Sequence, residues 1–380
     1  MTDRTAPVSA SGTRTRIETL DMLRGAALFG VLLANLEMMF RVPAFEHWIR
    51  PGAGSGLDQA IRMVLFGAIH IKTLMLFTML LGFGLAMQFD SLAARGRGTG
   101  MLYRRMLALL VFGLVHLFLL WNGDILTEYA LAGLLFVPML HLRLRGLIVA
   151  LCACLALYIL LPMVFRPFRL PPLDALSAHV DAAAAAYGRG DYLTVLSFRI
   201  DEILRFGPLH LYQLPRTLAT LLLGAVLWRL GAARLFTHPD RRVALAGLLL
   251  TAAGFALCLL PGKIGALANA TLGSMLVALG YAALFAWLAR QHHVRPFLGW
   301  SSAVGRMAFT NYLLYSLVLG FLFYGYGLGL MGRISTSTGI LIGSGIYALF
   351  AVASLLWLRR HAFGPFEWLW RSMTHGFRPG

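Results

Sequence analysis

From residue 17 onward, long apolar runs alternate with short connectors that carry arginines. A helix of about twenty apolar residues crosses a bilayer. Windows of that kind centre near residues 20–40, 60–89, 103–121, 124–141, 145–164, 207–229, 243–261, 265–289, 304–330 and 337–358. The pattern predicts an all-α, polytopic integral membrane helix bundle of about ten transmembrane helices, forming a single domain over 17–371. The window 60–89 exceeds one crossing, and Arg62, His70 and Lys72 crowd its first half, so it is expected to start as an interfacial piece. Residues 1–16 hold Arg4, Arg14 and Arg16 among small and polar residues, without the short apolar core or cleavage site of a signal peptide. They read as a retained, disordered tail, and 372–380 as a second tail.

One connector is too long to be a simple turn. Residues 165–206 open with Arg166-Pro167 and Pro171-Pro172, then predict a helix from Asp174 to Tyr187 closed by Gly188. Tyr192 to Phe206 follows as an amphipathic stretch with Leu193, Leu196, Ile200 and Leu204 on one stripe. Two readings stand: a connector lying on the membrane surface, or a lid over an external site.

Arginine placement orients the bundle. With the N-terminus inside, the inner connectors and tails receive 19 arginines, whereas the short outer loops hold Arg41, Arg50, Lys263 and Arg333. The positive-inside rule selects this assignment, with both termini cytoplasmic.

Composition agrees with a membrane chain. Of 380 residues, 59% are hydrophobic and 13% charged, against roughly 25% charged in soluble domains, and mean hydropathy is +0.73. The formal charge of +17 does not indicate nucleic acid, because the arginines sit in short clusters between apolar runs rather than along a groove with interleaved aromatics. Cys152, Cys154 and Cys258 lie in apolar stretches without disulfide or zinc spacing. His292-His293 lacks a third ligand, so no metal site is expected.

Arg24, Lys72, His116, Asp124 and Arg306 fall inside the apolar windows. Ionisable groups in hydrocarbon cost several kcal/mol unless they face a partner, a protein interior or water. A mere anchor would not carry five. Asp21 and Arg24 share a helix face and can pair. Arg24 is then either a snorkelling anchor or, through its planar fork, a ligand for phosphate or carboxylate. Asn35 and Glu37 lie near the outer end, where Glu37 is expected to reach water. Lys72 calls for a partner carboxylate or a water-filled cavity, and Gly82 and Gly84 permit close helix approach. His70 reads either as a core histidine or as a general base.

The stretch around His116 is the strongest local signal. Gly123 is expected to supply a tight turn, and Asp124 to cap the next helix, where an acceptor meets free amides and the positive dipole end. The same hairpin brings Asp124 to His116, and a carboxylate that orients an imidazole fixes its tautomer and raises its basicity. In the ninth window, Arg306 is placed to snorkel, while Asn311 and Tyr312 offer hydrogen bonds to a neighbouring helix or a ligand. Tyr324 to Gly329 lacks the strand-to-helix context of a nucleotide fingerprint. No G-x-S-x-G, HExxH, Walker or DxD motif occurs.

Several blocks together resemble the bacterial DUF418 (YeiB-like) membrane proteins. They are Leu20-Asp21-Met22-Leu23-Arg24-Gly25 with Asn35; Lys72 to Gly84; His116 with Gly123-Asp124-Ile125-Leu126 and Tyr129-Ala130; Gly305-Arg306 with Thr310-Asn311-Tyr312-Leu313; and Phe363 to Arg371. That family is similar, distantly, to transmembrane acyltransferases of the heparan-α-glucosaminide N-acetyltransferase type. The resemblance implies acyl transfer across a bacterial inner membrane, from a cytoplasmic thioester such as acetyl-CoA to an external glycan, lipid or small-molecule acceptor. A histidine near the start of the second span serves the wider group, and His70 is nearest to that position.

On this reading Arg24, Arg306, Arg104 and Arg105 meet the donor phosphates. Asp21, Asn35, Lys72, Tyr129, Asn311 and Tyr312 complete the binding set. His116 or His70 is the base, and Asp124 orients it. Acyl-CoA is a co-substrate, no cofactor is bound permanently, and a homodimer is compatible. The alternative is a transporter or flippase for an anionic small molecule or lipid, with Arg24, Lys72 and Arg306 as binding charges.

Overall fold

Backbone in hydrocarbon has to satisfy its own hydrogen bonds, and the apolar runs do so as helices. A computed structural model describes residues 17–52, 54–165 and 170–376. The expected tail 1–16, loop residues Arg166 and Arg169, and 377–380 of the second tail lie outside the described residues. Among the described residues there is no strand. The chain runs through α1 (Glu18–Asn35), α2 (Glu46–Ile49), α3 (Gly56–Val64), α4 (His70–Ala93), α5 (Gly100–Val115) and α6 (Leu126–Met139). It continues through α7 (Leu144–Val164), α8 (Leu173–Arg189), α9 (Tyr192–Arg229), α10 (Ala233–Thr237), α11 (Arg241–Cys258) and α12 (Gly262–Ala270). It ends with α13 (Leu272–Leu288), α14 (Arg295–Arg306), α15 (Ala308–Phe323), α16 (Thr336–Leu358) and α17 (Pro365–His375).

Among the described residues six helical runs are long and apolar enough to cross a bilayer, and two bent pairs raise the number to eight if each is one span. The six are Glu18–Phe40, Gly56–Ala93, Gly100–Leu120, Leu144–Val164, Arg241–Cys258 and Thr336–Leu358. The bent pairs are α12–α13, at 46°, and α14–α15, at 83°. The protein is therefore a helical membrane protein. The two remaining expected windows correspond to α6, apolar but 14 residues long, and to the second half of the 38-residue α9. Large apolar side chains such as Val149 on α7, Leu249 on α11 and Leu349 on α16 point outward, as a lipid-facing surface requires.

Three π-helical turns interrupt the first spans: Leu36–Phe40 after α1, Leu65–Ile69 before α4, and His116–Leu120 after α5. Such single turns often accompany functional sites. Two glycine contacts set the helix spacing. A Cβ on Gly25 would stand 2.0 Å from the Ser301 carbonyl oxygen, and one on Gly305 would stand 1.8 Å from that of Asp21. Hence α1 and α14 touch backbone to backbone, and Arg24 and Arg306, next to these glycines in sequence, line one cavity. Gly82 and Gly224 do the same for α4 and α9.

The long connector differs from expectation. The helix expected at 174–187 is α8, Leu173–Arg189. Tyr192–Phe206 is not a separate piece. It forms the first half of α9, which stays helical through Pro208 and Pro215. Its apolar stripe faces outward, with Leu193 71% and Leu204 74% exposed, while Val195, Arg199, Glu202 and Phe206 are buried. The apolar stripe thus turns away from the protein, as a segment lying against the membrane surface would, while the inner face holds Arg199 and Glu202 beside Val195 and Phe206. At the C-terminus, the boundary drawn at 371/372 falls inside α17, which continues to His375.

Candidate functional site

A cavity of about 490 Å³ opens between α1, α4, α5, α6, α14, α15 and α17. Its size lies within the roughly 300–1,000 Å³ range of small-molecule pockets. Arg24, Arg95, Arg97, Arg105, Arg306 and Arg371 line it, with His375, Gln88 and Ser91. Among the described lining residues the single carboxylate is Glu367, and it is committed elsewhere. Glu367 accepts hydrogen bonds from the Phe309 and Thr310 amides, at 2.8 and 2.9 Å, and from Thr310 Oγ1 at 2.5 Å. It thereby caps α15 at the 83° break. Burial pushes the Glu367 carboxyl above its usual range, while these α15 donors pull it back. Burial, then the Arg371, Arg105 and Arg97 charges, hold the His375 imidazole below its usual value.

Three of these arginines, Arg24, Arg105 and Arg306, are held by neighbours. Arg24 Nη1 donates to Asp21 Oδ1 at 3.2 Å, and Gly84 leaves room for its guanidinium, 3.4 Å from a would-be Cβ. Gly84 thus shapes the cavity rather than a helix contact. The Arg105 guanidinium stacks over Trp370 at 4.1 Å, and Trp370 Nε1 donates to the Arg105 carbonyl at 2.9 Å. Arg306 Nη2 donates to the Ala362 carbonyl at 3.3 Å. Arg104, expected beside Arg105, is exposed and lies off the cavity: consecutive helix positions point about 100° apart.

At its inner end the cavity is bounded by Ile125, Leu126, Tyr129 and Tyr312. Tyr129 Oη accepts from Thr78 Oγ1 at 2.8 Å. Tyr312 packs its ring on His116, centroids 5.0 Å apart, and its hydroxyl accepts from the Ile125 amide at 3.4 Å. Behind it lies the pair anticipated from the hairpin. His116 Nδ1 and Asp124 Oδ1 are 2.7 Å apart, and both side chains are fully buried. Asp124 also accepts from the Leu126 and Thr127 amides, at 3.1 and 2.6 Å, so it caps α6 and orients the imidazole at once. A carboxylate only accepts, so Nδ1 carries a proton, and in the neutral ring Nε2 presents a lone pair. Among the described residues Nε2 has no hydrogen-bond partner. Gly123 has no left-handed backbone. Its need is steric, since a Cβ would meet the Trp121 indole at 2.3 Å.

Other expected residues lie apart. Lys72 is fully buried, and its Nζ donates to Asn269 Oδ1 beside the α12–α13 break; an amide stands where a carboxylate or cavity was expected. His70 rests edge-on against Phe66. Neither lines the arginine cavity. Asn311 hydrogen bonds Val304 and Ser354, a helix-to-helix tie away from the cavity. Asn35 Nδ2 is buried without a partner and also lies off it. Glu37 does not reach water: it is fully buried, accepting from Arg41 at 2.6 and 2.7 Å and from Thr336 at 2.9 Å.

Sequence reasoning missed two groups. One is the polar face of α17, where Glu367, Trp370 and Arg371 recur at helical spacing after Pro365. The other is the network that the α8–α9 elbow presses onto the His116–Asp124 hairpin. Glu202 there accepts from Asn122 at 2.6 Å and from Tyr187, and meets His179 Nε2 at 2.7 Å, while Arg199 Nη1 donates to the Phe118 carbonyl at 3.2 Å.

Comparison with known proteins places the chain among relatives. Residues 233–377 match a family model described as "Protein of unknown function (DUF418)". The chain is 34% identical over 396 positions to the uncharacterised protein YxaH of Bacillus subtilis (strain 168), covering 96% of this chain and 95% of that one. It is 28% identical over 395 positions to the uncharacterised protein YeiB of Escherichia coli (strain K12), covering 94% and 95%. It is also 28% identical to an uncharacterised 39.9 kDa protein from the amylase 3' region of Bacillus acidopullulyticus, covering 95% and 94%.

Proposed function

The chain belongs to the DUF418 family, and from that premise we propose that it is an inner-membrane acyltransferase using a cytoplasmic acyl-CoA-type donor. The observation that carries the reading is the path from an arginine-lined cavity to a ring, Tyr312, packed against a histidine–aspartate pair. Arginine forks suit phosphate oxygens, so the donor's phosphates would sit among Arg24, Arg105, Arg306 and Arg371 with the acyl thioester toward Tyr129 and Tyr312. Ten crossings with both termini inside would put the cavity mouth in the cytoplasm.

His116 Nε2 would take the proton from an acceptor hydroxyl or amine as that atom bonds to the thioester carbonyl carbon. The carbon–sulfur bond then breaks, and the leaving thiolate recovers the proton from His116. Asp124 holds the imidazole and stabilises its transient charge. Tyr312 has to swing from between the cavity and the ring for this to occur.

Acyl-CoA at a hundred times its dissociation constant should stabilise the purified protein by about 2.7 kcal/mol. His116→Ala should keep that stabilisation while losing transfer by about 10²–10⁴-fold. A melting point unmoved by any acyl-CoA would sink the reading.

A second reading, export or flipping of an anion, draws on the absence of His116 from the walls of the arginine cavity and on the broken helices α12–α13 and α14–α15, a feature of transporter sites. Uptake into proteoliposomes that needs Arg24 and Arg306 but not His116 would favour it.

A further inference from the structure

His116 belongs to the wall of a second space, not to that of the arginine cavity. An apolar cleft of about 380 Å³ runs between α5, α15 and α17, and of the described residues lining it His116 is the one polar side chain. Val111 and Val115 on one wall and Leu317 on the other are about half exposed, so the cleft opens sideways, where helices of this kind meet lipid. From Val111 to Leu120 its α5 wall is about 14 Å long. The ring nitrogen that Asp124 does not use, Nε2, is fully buried and lacks a partner.

We infer that this cleft seats the acyl chain of a bilayer lipid and delivers that lipid's polar head to His116 Nε2. The apolar walls give a water-soluble ligand nothing to hydrogen bond. A lipid chain matches them in polarity, arrives from the side on which the cleft opens, and carries a head group able to donate to the one orphaned acceptor. The substrate class that follows, a lipid hydroxyl or amine as acyl acceptor, rests on the acyl-transfer reading. The seat itself does not.

The test uses the full-length protein in nanodiscs of phosphatidylethanolamine and phosphatidylglycerol, with some phosphatidylglycerol bearing a diazirine in its tail. After photolysis, labelled peptides should concentrate on residues 111–120 and 313–317. They should exceed those around the more exposed Val149 and Leu349, and fall severalfold in Val115→Trp. Should that variant not fold, Leu317→Trp fills the opposite wall and must show the same loss. Label spread evenly over all exposed apolar residues, or unchanged in a folded Trp variant, overturns the inference. With labelled acyl-CoA present, radioactivity should pass into the chloroform-soluble fraction. A labelled cleft without any acyl-CoA stabilisation would leave the seat standing and remove the transfer reading. Stabilisation with evenly spread label would do the reverse.

Discussion

The first span, α1 with the π-helical turn that follows it, carries Arg24 toward one end and Glu37 toward the other, about 20 Å apart along the axis. Around Glu37 every charge is answered. Arg41 forks onto it, Thr336 donates to it, and Arg62 holds Thr336 at 3.0 Å. Asp58 receives the Ser337 amide at 2.9 Å. Around Arg24 the balance is one-sided: among the described residues six arginines border the cavity with one carboxylate, which caps α15, and Asp21 beside Arg24 answers only one charge more. Buried ions of opposite sign in mutual contact close a structure. Accessible cations in excess around open space, with Arg95, Arg97 and Arg371 exposed and Arg24, Arg105 and Arg306 half-buried, hold it ready for a counter-charge, here an anion.

Breaking the closed end should have the largest effect. Glu37→Ala strands the Arg41 guanidinium in the protein interior, and removing one partner of a buried pair costs about 3–5 kcal/mol. Thermal unfolding in detergent should show the loss, with acyl-CoA still raising the melting point of whatever folds. The double change Glu37→Met with Arg41→Met should recover most of it. If Glu37→Ala unfolds no earlier than the parent, the closed end is not structural.

The open end should respond in the opposite way. Arg306→Gln keeps a donor for the Ala362 carbonyl but removes one of several like charges, so unliganded stability should hold. The ligand-induced gain of about 2.7 kcal/mol at a hundred times the dissociation constant should largely vanish. Added salt should weaken the parent's response. A fall in unliganded stability with the acyl-CoA response intact would erase the distinction between the ends.

The helices, the His116–Asp124 pair and the basic character of one end were legible because each depends on short-range pattern. Apolar length makes a membrane helix, and eight residues of hairpin return Asp124 to His116. What was illegible depends on tertiary contact. Glu37 looked solvated because its partner Thr336 lies 299 positions away. Lys72 seemed to require a carboxylate because nothing in the sequence announces Asn269. The stripe on the first half of α9 was legible as a pattern but not in direction, since amphipathicity does not say which side is water. Arg104 and Arg105 were indistinguishable until the α17 ring of Trp370 selected one.

The smallest expected effect is at the cavity mouth. His375 is held below its usual value by burial and then by Arg371, Arg105 and Arg97. The unfolded chain therefore binds a proton there more readily than the folded one. As pH falls from about 6.5 toward the lower folded value, this residue makes stability decline, and His375→Gln should flatten that part of the curve. An anion in the cavity offsets the three arginine charges and raises the imidazole's proton affinity. By linkage, ligand affinity then increases as pH falls through the same window, opposite in sign to the unliganded stability. Melting points taken with and without acyl-CoA between pH 5 and pH 7.5 should therefore diverge on acidification, and the divergence should shrink in His375→Gln. Parallel curves would mean that the anion sits too deep to feel the mouth, leaving Arg24 and Arg306 as its principal contacts.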